Sequence, residues 1–433
     1  MKLTAPVATR ESGVRWLRRI PAHWGVVQSR RLFSERNEKA REGEQQLTVS
    51  QKYGLIAQSE FMEREGRRVV QVLKGYDILK RTQAGDFVMS MRSFQGGLEY
   101  STLSGAISSA YVPLKPLKWV HNDYFRYLFK SEAYIQELQS TSDLVRDGQA
   151  LRFENFSKVS LPVVPIEEQE RIASYLDRTS ERIDALIAKK SRFIALLREK
   201  REALIAHTVT KGLIGSTPLK PSGVGWLGDI PAHWGVIQSR RVFAERNEKA
   251  RAGEVQLTVS QKYGLIAQSE FMEREGRRVV QVLKGHDILK HVEAGDFVIS
   301  MRSFQGGLEL SYLSGSMSSA YVALSPVKEI DAGYFRHLFK SSTYIQALQS
   351  TSDLVRDGQA LRFENFSKVP LPLVPVEEQR AIAAYLDQAI ARIDALMLKT
   401  ERSIGLLREH RTSIITAAVT GKIDLCADRE EPA

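Results

Sequence analysis

At 433 residues the chain is long enough for two to four domains, and 43% hydrophobic residues leave material for real cores. Lysine and arginine number 62 against 51 aspartate and glutamate, a formal net charge of +11 that points to a polyanionic partner, nucleic acid before an anionic membrane. One cysteine, Cys426, excludes an internal disulfide framework or a cysteine-based zinc site, and the sequence holds neither a long apolar run for a membrane span nor an apolar secretion core in MKLTAPVATRESGVRWLRRI. The expected location is cytoplasmic, with no membrane partner.

Read from its start, the chain is one module written twice. SGVRWLRRIPAHWGVVQSRRLFSERNEK, Ser12–Lys39, matches SGVGWLGDIPAHWGVIQSRRVFAERNEK, Ser222–Lys249. Leu47–Gly75 is identical to Leu257–Gly285, and Leu138–Val159 to Leu348–Val369, always at an offset of 210. A period this long is a domain duplication rather than a solenoid.

The first part of each copy reads as mixed α/β. QLTVSQ, DFVMS and AYVPL carry the β-branched and aromatic residues of short strands, and KGYD and AGDF mark turns between them. From Tyr124, and again from Tyr334, apolar residues fall at helical spacing: Phe125, Leu128, Phe129, Ile135 and Leu138 in the first copy.

The second part runs from Ile166 to about Val209 without proline or glycine. Ile172, Leu176, Ile183, Leu186, Phe193, Leu197 and Leu204 suggest a repeat of about 3.5 residues, with Thr179, Lys190 and Lys200 interrupting it. Ile382, Leu386, Ile393, Leu396, Leu407 and Ile414 fall on the same repeat in the second copy. Pro165 and Pro375 precede these helices, Glu167-Glu168 and Glu377-Glu378 sit in their first turns, and Gly212 and Gly421 follow their ends. Two such helices should pack on each other as a coiled coil. The expected domains are therefore 1–165, a long helix at 166–211, a second α/β domain at 212–375, and a long helix with a tail at 376–433.

Catalytic motifs are missing from the sequence. There is no phosphate-binding G-x-x-x-x-G-K-[ST], no G-x-G-x-x-G and no H-E-x-x-H. His23 and His233 recur inside IPAHW, where packing is the simpler reading, and the glutamate pairs read as first-turn acids. The chain reads as a binder that is not itself an enzyme, with no catalytic residue, metal or cofactor of its own.

The candidates for nucleic-acid contact are the repeated polar segments. SQKYG offers Gln51, Lys52 and Tyr53, and its copy Gln261, Lys262 and Tyr263. EREGRRVV supplies Arg64, Arg67 and Arg68, and Arg274, Arg277 and Arg278, suited to phosphates. SMRSFQGGLE, identical at Ser90–Glu99 and Ser300–Glu309, supplies Arg92, Ser93 and Gln95, and Arg302, Ser303 and Gln305. Arginine reads guanine and glutamine reads adenine through bidentate pairs, and the glycines allow close backbone approach. VRDGQALRF adds Arg146, Gln149 and Arg152, and Arg356, Gln359 and Arg362. Each has a plainer alternative: a solvated face for Arg67 and Arg68, a core position for Tyr53, a bond to its own loop for Gln95. Identity between the copies does not choose, because buried residues are shared as well.

Together these features resemble a type I restriction–modification specificity subunit over nearly the whole chain. The resemblance is carried by IPAHW, VSQKYG, GDFVMSMRSFQGGLE with SSAYV, and TVTKG. Its most specific part is LP-x-V-P-x-EEQ-x-x-IA-x-YLD, at Leu161–Asp177 and again at Leu371–Asp387. It implies an α+β fold of two target recognition domains separated by two long helices packed antiparallel. It implies a bipartite site on double-stranded DNA, its half-sites read in opposite orientation. Modification subunits, two of them, would methylate adenine N6 with S-adenosylmethionine. Restriction subunits would add translocation and cleavage driven by ATP with Mg2+. One departure is that the recognition domains here are more alike than the helices, so the expected site is an interrupted palindrome. Tyr76/His286, Arg81-Thr82-Gln83 against His291-Val292-Glu293, and Tyr100/Leu310 are differences that would make the half-sites unequal if they reach bases. Two alternatives remain at this point: a non-catalytic scaffold for a protein or RNA partner, and a specificity subunit of a methylation-only system.

Overall fold

The structure is a computed structural model that describes residues 8–69, 76–91, 97–141, 151–260, 262–276, 288–300, 307–351 and 361–425. The chain forms two compact units, one of residues 1–190 with 402–433 and the other of residues 191–401. The two long helices are Ile166–Lys211 and Val376–Val419. Each unit therefore takes in the start of one helix and the end of the other.

In the first unit, Phe33–Glu35, Tyr111–Pro116, Phe87–Ser90 and Glu99–Tyr100 form, in that order, a four-stranded antiparallel sheet. Val112 stands opposite Met89 and Leu114 opposite Phe87. Phe87 and Met89 face the main core, and Val88 faces a smaller cluster with Leu47, Leu55 and Ile107. Burial on both faces explains why this strand reads as an unbroken apolar run. The main core is built on Phe33, whose ring meets Phe87, Phe125, Phe129 and Phe156 at 5.1–5.9 Å. Such pairs add about 0.5–1.5 kcal/mol each beyond the area they bury. The pattern beginning at Tyr124 resolves into two helices, Asn122–Leu128 and Glu132–Ser140. Between them, buried Ser131 turns its hydroxyl back to the Leu128 carbonyl at 2.7 Å.

The second unit repeats this plan with Phe243–Arg246, Tyr321–Pro326, Phe297–Ser300 and Glu309–Leu310. Phe243 takes the place of Phe33, ringed by Phe297, Phe335, Phe339 and Phe366.

Inside each unit the helix segments run antiparallel. In the second, Arg201 meets Asp394 at 3.2 Å and Arg198 meets Glu401 at 3.6 Å. In the first, Arg411 meets Asp184 at 2.7 Å, while Ile172 and Leu176 share a core with Ile414 and Val419. The expected seam needs correction. Leu186, Phe193 and Leu396 are 42%, 45% and 46% exposed, and Leu204 and Leu407 are only partly buried, whereas Ile194, Ile205 and Ile404 are buried at 5–7%. The buried stripe steps by eleven residues from Ile183 to Ile194 and from Ile393 to Ile404, three turns of about 3.67 residues, where a 3.5-residue heptad steps by seven.

The shared sequence motifs meet where a domain joins the helices. His23 Nε2 lies 2.8 Å from Glu168 Oε2, and His233 Nε2 lies 2.6 Å from Glu378 Oε1. The Gln169 amide accepts from the His121 N–H at 2.8 Å and donates to the carbonyls of Trp119 and Val164 at 2.9 and 2.8 Å. Buried Tyr124 donates its hydroxyl to the Val419 carbonyl, and Tyr334 donates to Val209, each at 2.8 Å. Both acceptors belong to last-turn carbonyls that a helix cannot satisfy itself. Gly421 and Gly212 then turn the chain against Trp24 and Trp234 with φ of +69° and +76°. IPAHW, EEQ and the final glycine are thus parts of one joint in each unit.

Candidate nucleic-acid interface

The strands Leu47–Ser50 and Gly54–Ala57 form a hairpin whose turn is Gln51-Lys52-Tyr53. Ser50 Oγ accepts the backbone N–H of Lys52 at 3.2 Å, and Gly54 closes the turn at φ +70°. The following helix, Gln58–Glu65, brings Arg64 and Glu65 back over it. Glu65 accepts from Lys52 Nζ at 2.9 Å and from the Tyr53 hydroxyl at 2.8 Å. Lys52 Nζ lies 4.7 Å from the centre of the Tyr53 ring, and Arg64 Cζ lies 5.1 Å from it. Those hydrogen bonds, Lys52's first, hold the Glu65 carboxyl below its ordinary range. Tyr53 is half-buried rather than core, and Lys52 is exposed. The turn therefore offers an exposed ammonium and a guanidinium fixed around one aromatic ring. That combination suits phosphate oxygens and base faces.

The second unit builds the same cluster. Glu275 accepts from Lys262 at 3.0 Å and from Tyr263 at 2.8 Å, and Lys262 and Arg274 stand 4.7 and 5.0 Å from the Tyr263 ring.

Arg67 and Arg68 are exposed just beyond the helix, after Gly66 ends it at φ +64°, so they solvate no helix face. Arg152 is exposed at the entry to helix Phe153–Lys158, where its N–H bonds Asn155 Oδ1 at 3.0 Å. Asn155 in turn donates to the Thr141 carbonyl at 2.7 Å, drawing together the two ends of the segment that carries Arg146 and Gln149. Arg362, Asn365 and Thr351 repeat this. Arg92, Ser93, Gln95, Arg146, Gln149, Gln261, Arg277, Arg278, Arg302, Ser303, Gln305, Arg356 and Gln359 lie outside the described residues.

In the first unit the roots of these segments converge. The Leu151 N–H bonds the Met91 carbonyl at 3.1 Å, so the segments after Met91 and before Leu151 share an origin. A Cβ on Gly97 would lie 2.1 Å from the Phe129 carbonyl oxygen, and on Gly54 it would lie 3.7 Å from Glu99 Oε2. Glu99 is anchored by Lys130 at 2.5 Å, and burial pushes its carboxyl above the ordinary range. The Gln51–Gly54 turn therefore lies beside Glu99, the last residue of SMRSFQGGLE, and Met91 near that segment's start is bonded to Leu151 of VRDGQALRF. A cleft of about 620 Å³ lies beneath the turn, lined also by Tyr100, Arg126, Tyr127 and Asp177.

Sequence reasoning missed the joint residues Gln169, Gln379, Tyr124, Tyr334 and the pair Arg126–Asp177. All recur at the 210-residue offset, but so does most of the chain, so recurrence was no signal. No helix among the described residues is long and apolar enough to cross a membrane.

Residues 22–194 match the family described as type I restriction modification DNA specificity domain. The chain is 24% identical over 274 residues to a putative type I restriction enzyme MjaX specificity subunit from Methanocaldococcus jannaschii. That match covers 61% of this chain and spans 59% of the relative's length. Among solved structures, a chain from a study of complex assembly and conformational transition of a type I R-M system aligns with TM-score 0.65 at 16% identity, covering 93% of this chain and 99% of that one. The HsdS subunit from Thermoanaerobacter tengcongensis aligns with TM-score 0.56 at 14% identity, covering 93% and 98%. At these identities the structures support the fold.

Proposed function

The chain belongs to the type I restriction–modification specificity subunits, and from that premise we propose that it is the non-catalytic subunit that reads DNA for such a complex. Two target recognition domains, 1–165 and 212–375, each read one half of a bipartite site. The helices at 166–211 and 376–433 carry the partners. Two modification subunits methylate adenine N6 with S-adenosylmethionine, and restriction subunits use ATP and Mg2+ for translocation and cleavage. Function is confined to the cytoplasm, where the DNA and these partners are.

The observation that carries this reading is the twice-built cluster of Lys52, Tyr53 and Arg64, and of Lys262, Tyr263 and Arg274, each on the turn of a hairpin in a basic chain. Lys52, Arg64, Arg67 and Arg68 and their copies neutralise phosphates, which position a protein without reading sequence. Gln51, Arg92, Ser93, Gln95, Arg146, Gln149 and Arg152 and their copies supply base-edge readers beside them. Because the two domains carry the same readers, the half-sites are equal and the site is an interrupted palindrome.

Selection from a pool of randomised duplexes by the assembled methyltransferase tests this. Two short blocks at a fixed separation should be enriched. A pool recovered without sequence preference, or RNA retained over DNA, would replace the reading with a scaffold function.

A further inference from the structure

The N-terminal unit carries a cluster of positive charge that its duplicate lacks. The hairpin of Thr9–Glu11 with Arg19–Pro21 is closed by a turn in which the Ser12 N–H bonds the Arg18 carbonyl at 2.8 Å and the Arg18 N–H bonds the Val14 carbonyl at 2.9 Å. This turn holds Arg18 in the left-handed region at φ 55°. The second unit closes its hairpin with the same two bonds, at 3.1 and 3.0 Å, and places Gly228 there at φ 57°. Glycine takes that conformation freely and arginine does not. Strain of this kind persists where a side chain is used, or where nothing selects against it.

The charge around Arg18 favours use. Arg15, Arg18, Arg19 and Lys422 line one concavity that faces a single carboxylate, Glu11. Arg19 reaches Glu11 at 3.4 Å with both side chains more than half exposed, a pairing that leaves most of the charge available. The second copy has Gly225, Gly228 and Asp229 at the arginine positions. Shared lining residues also link the concavity stepwise to the Gln51–Gly54 turn of its unit. The concavity shares Lys422 with a groove along Arg408, Thr412 and Thr416, and that groove shares Thr412 with the cleft beneath the Gln51–Gly54 turn. At ~1.5 Å per helical residue, Thr412 to the helix end at Val419 spans about 10 Å, roughly three base pairs of duplex, and Lys422 stands just beyond it.

We propose that Arg15, Arg18, Arg19 and Lys422 form a phosphate-binding patch that grips the backbone of duplex DNA flanking the half-site read by the N-terminal domain. The patch makes the two ends of the bound site unequal in their hold on the backbone even where the half-sites are equal in sequence. This rests on the DNA-reading function proposed above.

The test compares the full-length chain, assembled with its methyltransferase subunits, with a variant carrying Arg15→Gly, Arg18→Gly and Arg19→Gln. The two glycines are residues that the second unit already accommodates. Binding to a target duplex and to a scrambled duplex is measured across a salt series. The slope of log K against log salt should become shallower by about 2–3, at roughly 0.9 for each phosphate no longer neutralised. Affinity for both duplexes should fall by more than ~10-fold at 0.1 M salt while their ratio stays within ~2-fold. An unchanged slope overturns the patch, as does a slope that falls together with the target-to-scrambled ratio, which would make these residues base readers. Should the variant melt below the wild type, Arg15→Gln with Lys422→Gln, at positions of ordinary backbone, should still remove about 2 from the slope. A wild-type assembly that binds neither duplex defeats the DNA-reading function itself. A wild type that binds as steeply as its patch variants defeats the patch alone.

Discussion

Replacing Gln169 with leucine should loosen the joint between the N-terminal domain and its helix by an amount the geometry sets. The amide is 1% exposed and makes three hydrogen bonds, at 2.8, 2.9 and 2.8 Å. Leucine fills a similar volume and makes none. The buried Val164 carbonyl and the half-buried His121 N–H would lose their partner, at about 1–3 kcal/mol each. The third group, the Trp119 carbonyl, belongs to a residue 62% exposed, so water can replace the amide there. Burying leucine returns about 1–2 kcal/mol. Taken at their midpoints, about 4 kcal/mol lost and about 1.5 returned, the two terms leave a net loss of about 2.5 kcal/mol. Gln379 provides an internal control, because it holds the Asp331 N–H and the Val374 carbonyl at 2.8 Å each, the counterparts of His121 and Val164. Gln379→Leu should therefore cost the second unit as much, within about 1 kcal/mol. Urea unfolding followed by far-ultraviolet circular dichroism gives both values. A loss under about 1 kcal/mol for either variant would refute the idea that the EEQ glutamine is the fastening of the joint.

Other consequences are open to measurement. Gly97→Ala and Gly307→Ala would each drive a Cβ to 2.1 or 2.3 Å from a backbone carbonyl oxygen at φ near +80°. Each should cost more than ~3 kcal/mol, whereas Gly66→Ala, with open space around it, should cost about 1. Melting temperatures that rank Gly97→Ala no lower than Gly66→Ala would remove the structural reason for the second glycine of SMRSFQGGLE. His337 occupies the place of Tyr127 and lies 2.7 Å from Asp387, beside Arg336. Burial holds its imidazole below the ordinary histidine range, with Asp387 opposing and Arg336 and Arg201 adding to the fall. The unfolded chain then binds that proton first, so the second unit should lose stability as pH falls from about 6.5 toward the lower native value. His337→Tyr should flatten that dependence, and an unchanged slope would assign it to other groups.

The sequence made the duplication, the strand around Phe87 and both long helices legible, because each depends on local pattern. The joint was not legible. His23 and Glu168 meet at a separation of 145 residues, and Tyr124 and Val419 at 295, so no window of sequence holds both partners. IPAHW and EEQ were visible as words before their contact gave them a meaning. The seam was misplaced at Leu186, Phe193 and Leu396 because leucine and phenylalanine on an exposed face look the same as on a buried one until the helix period is known. At the Gln51–Gly54 turn, sequence singled out Lys52, Tyr53 and Arg64, which the structure places together, but missed that Glu65 bonds Lys52 and Tyr53, since an acid in a basic segment reads as solvent-facing. The copies' near identity weakened every inference from recurrence, and only their differences, at Arg18 against Gly228 or Tyr127 against His337, carried independent information.

Long-read mapping of N6-methyladenine in cells that carry this chain with its methyltransferase puts the central claim to the most direct test. Two domains with the same readers predict one interrupted palindrome, methylated on both strands at equivalent positions of its two halves. A bipartite motif whose halves differ in sequence would contradict that account.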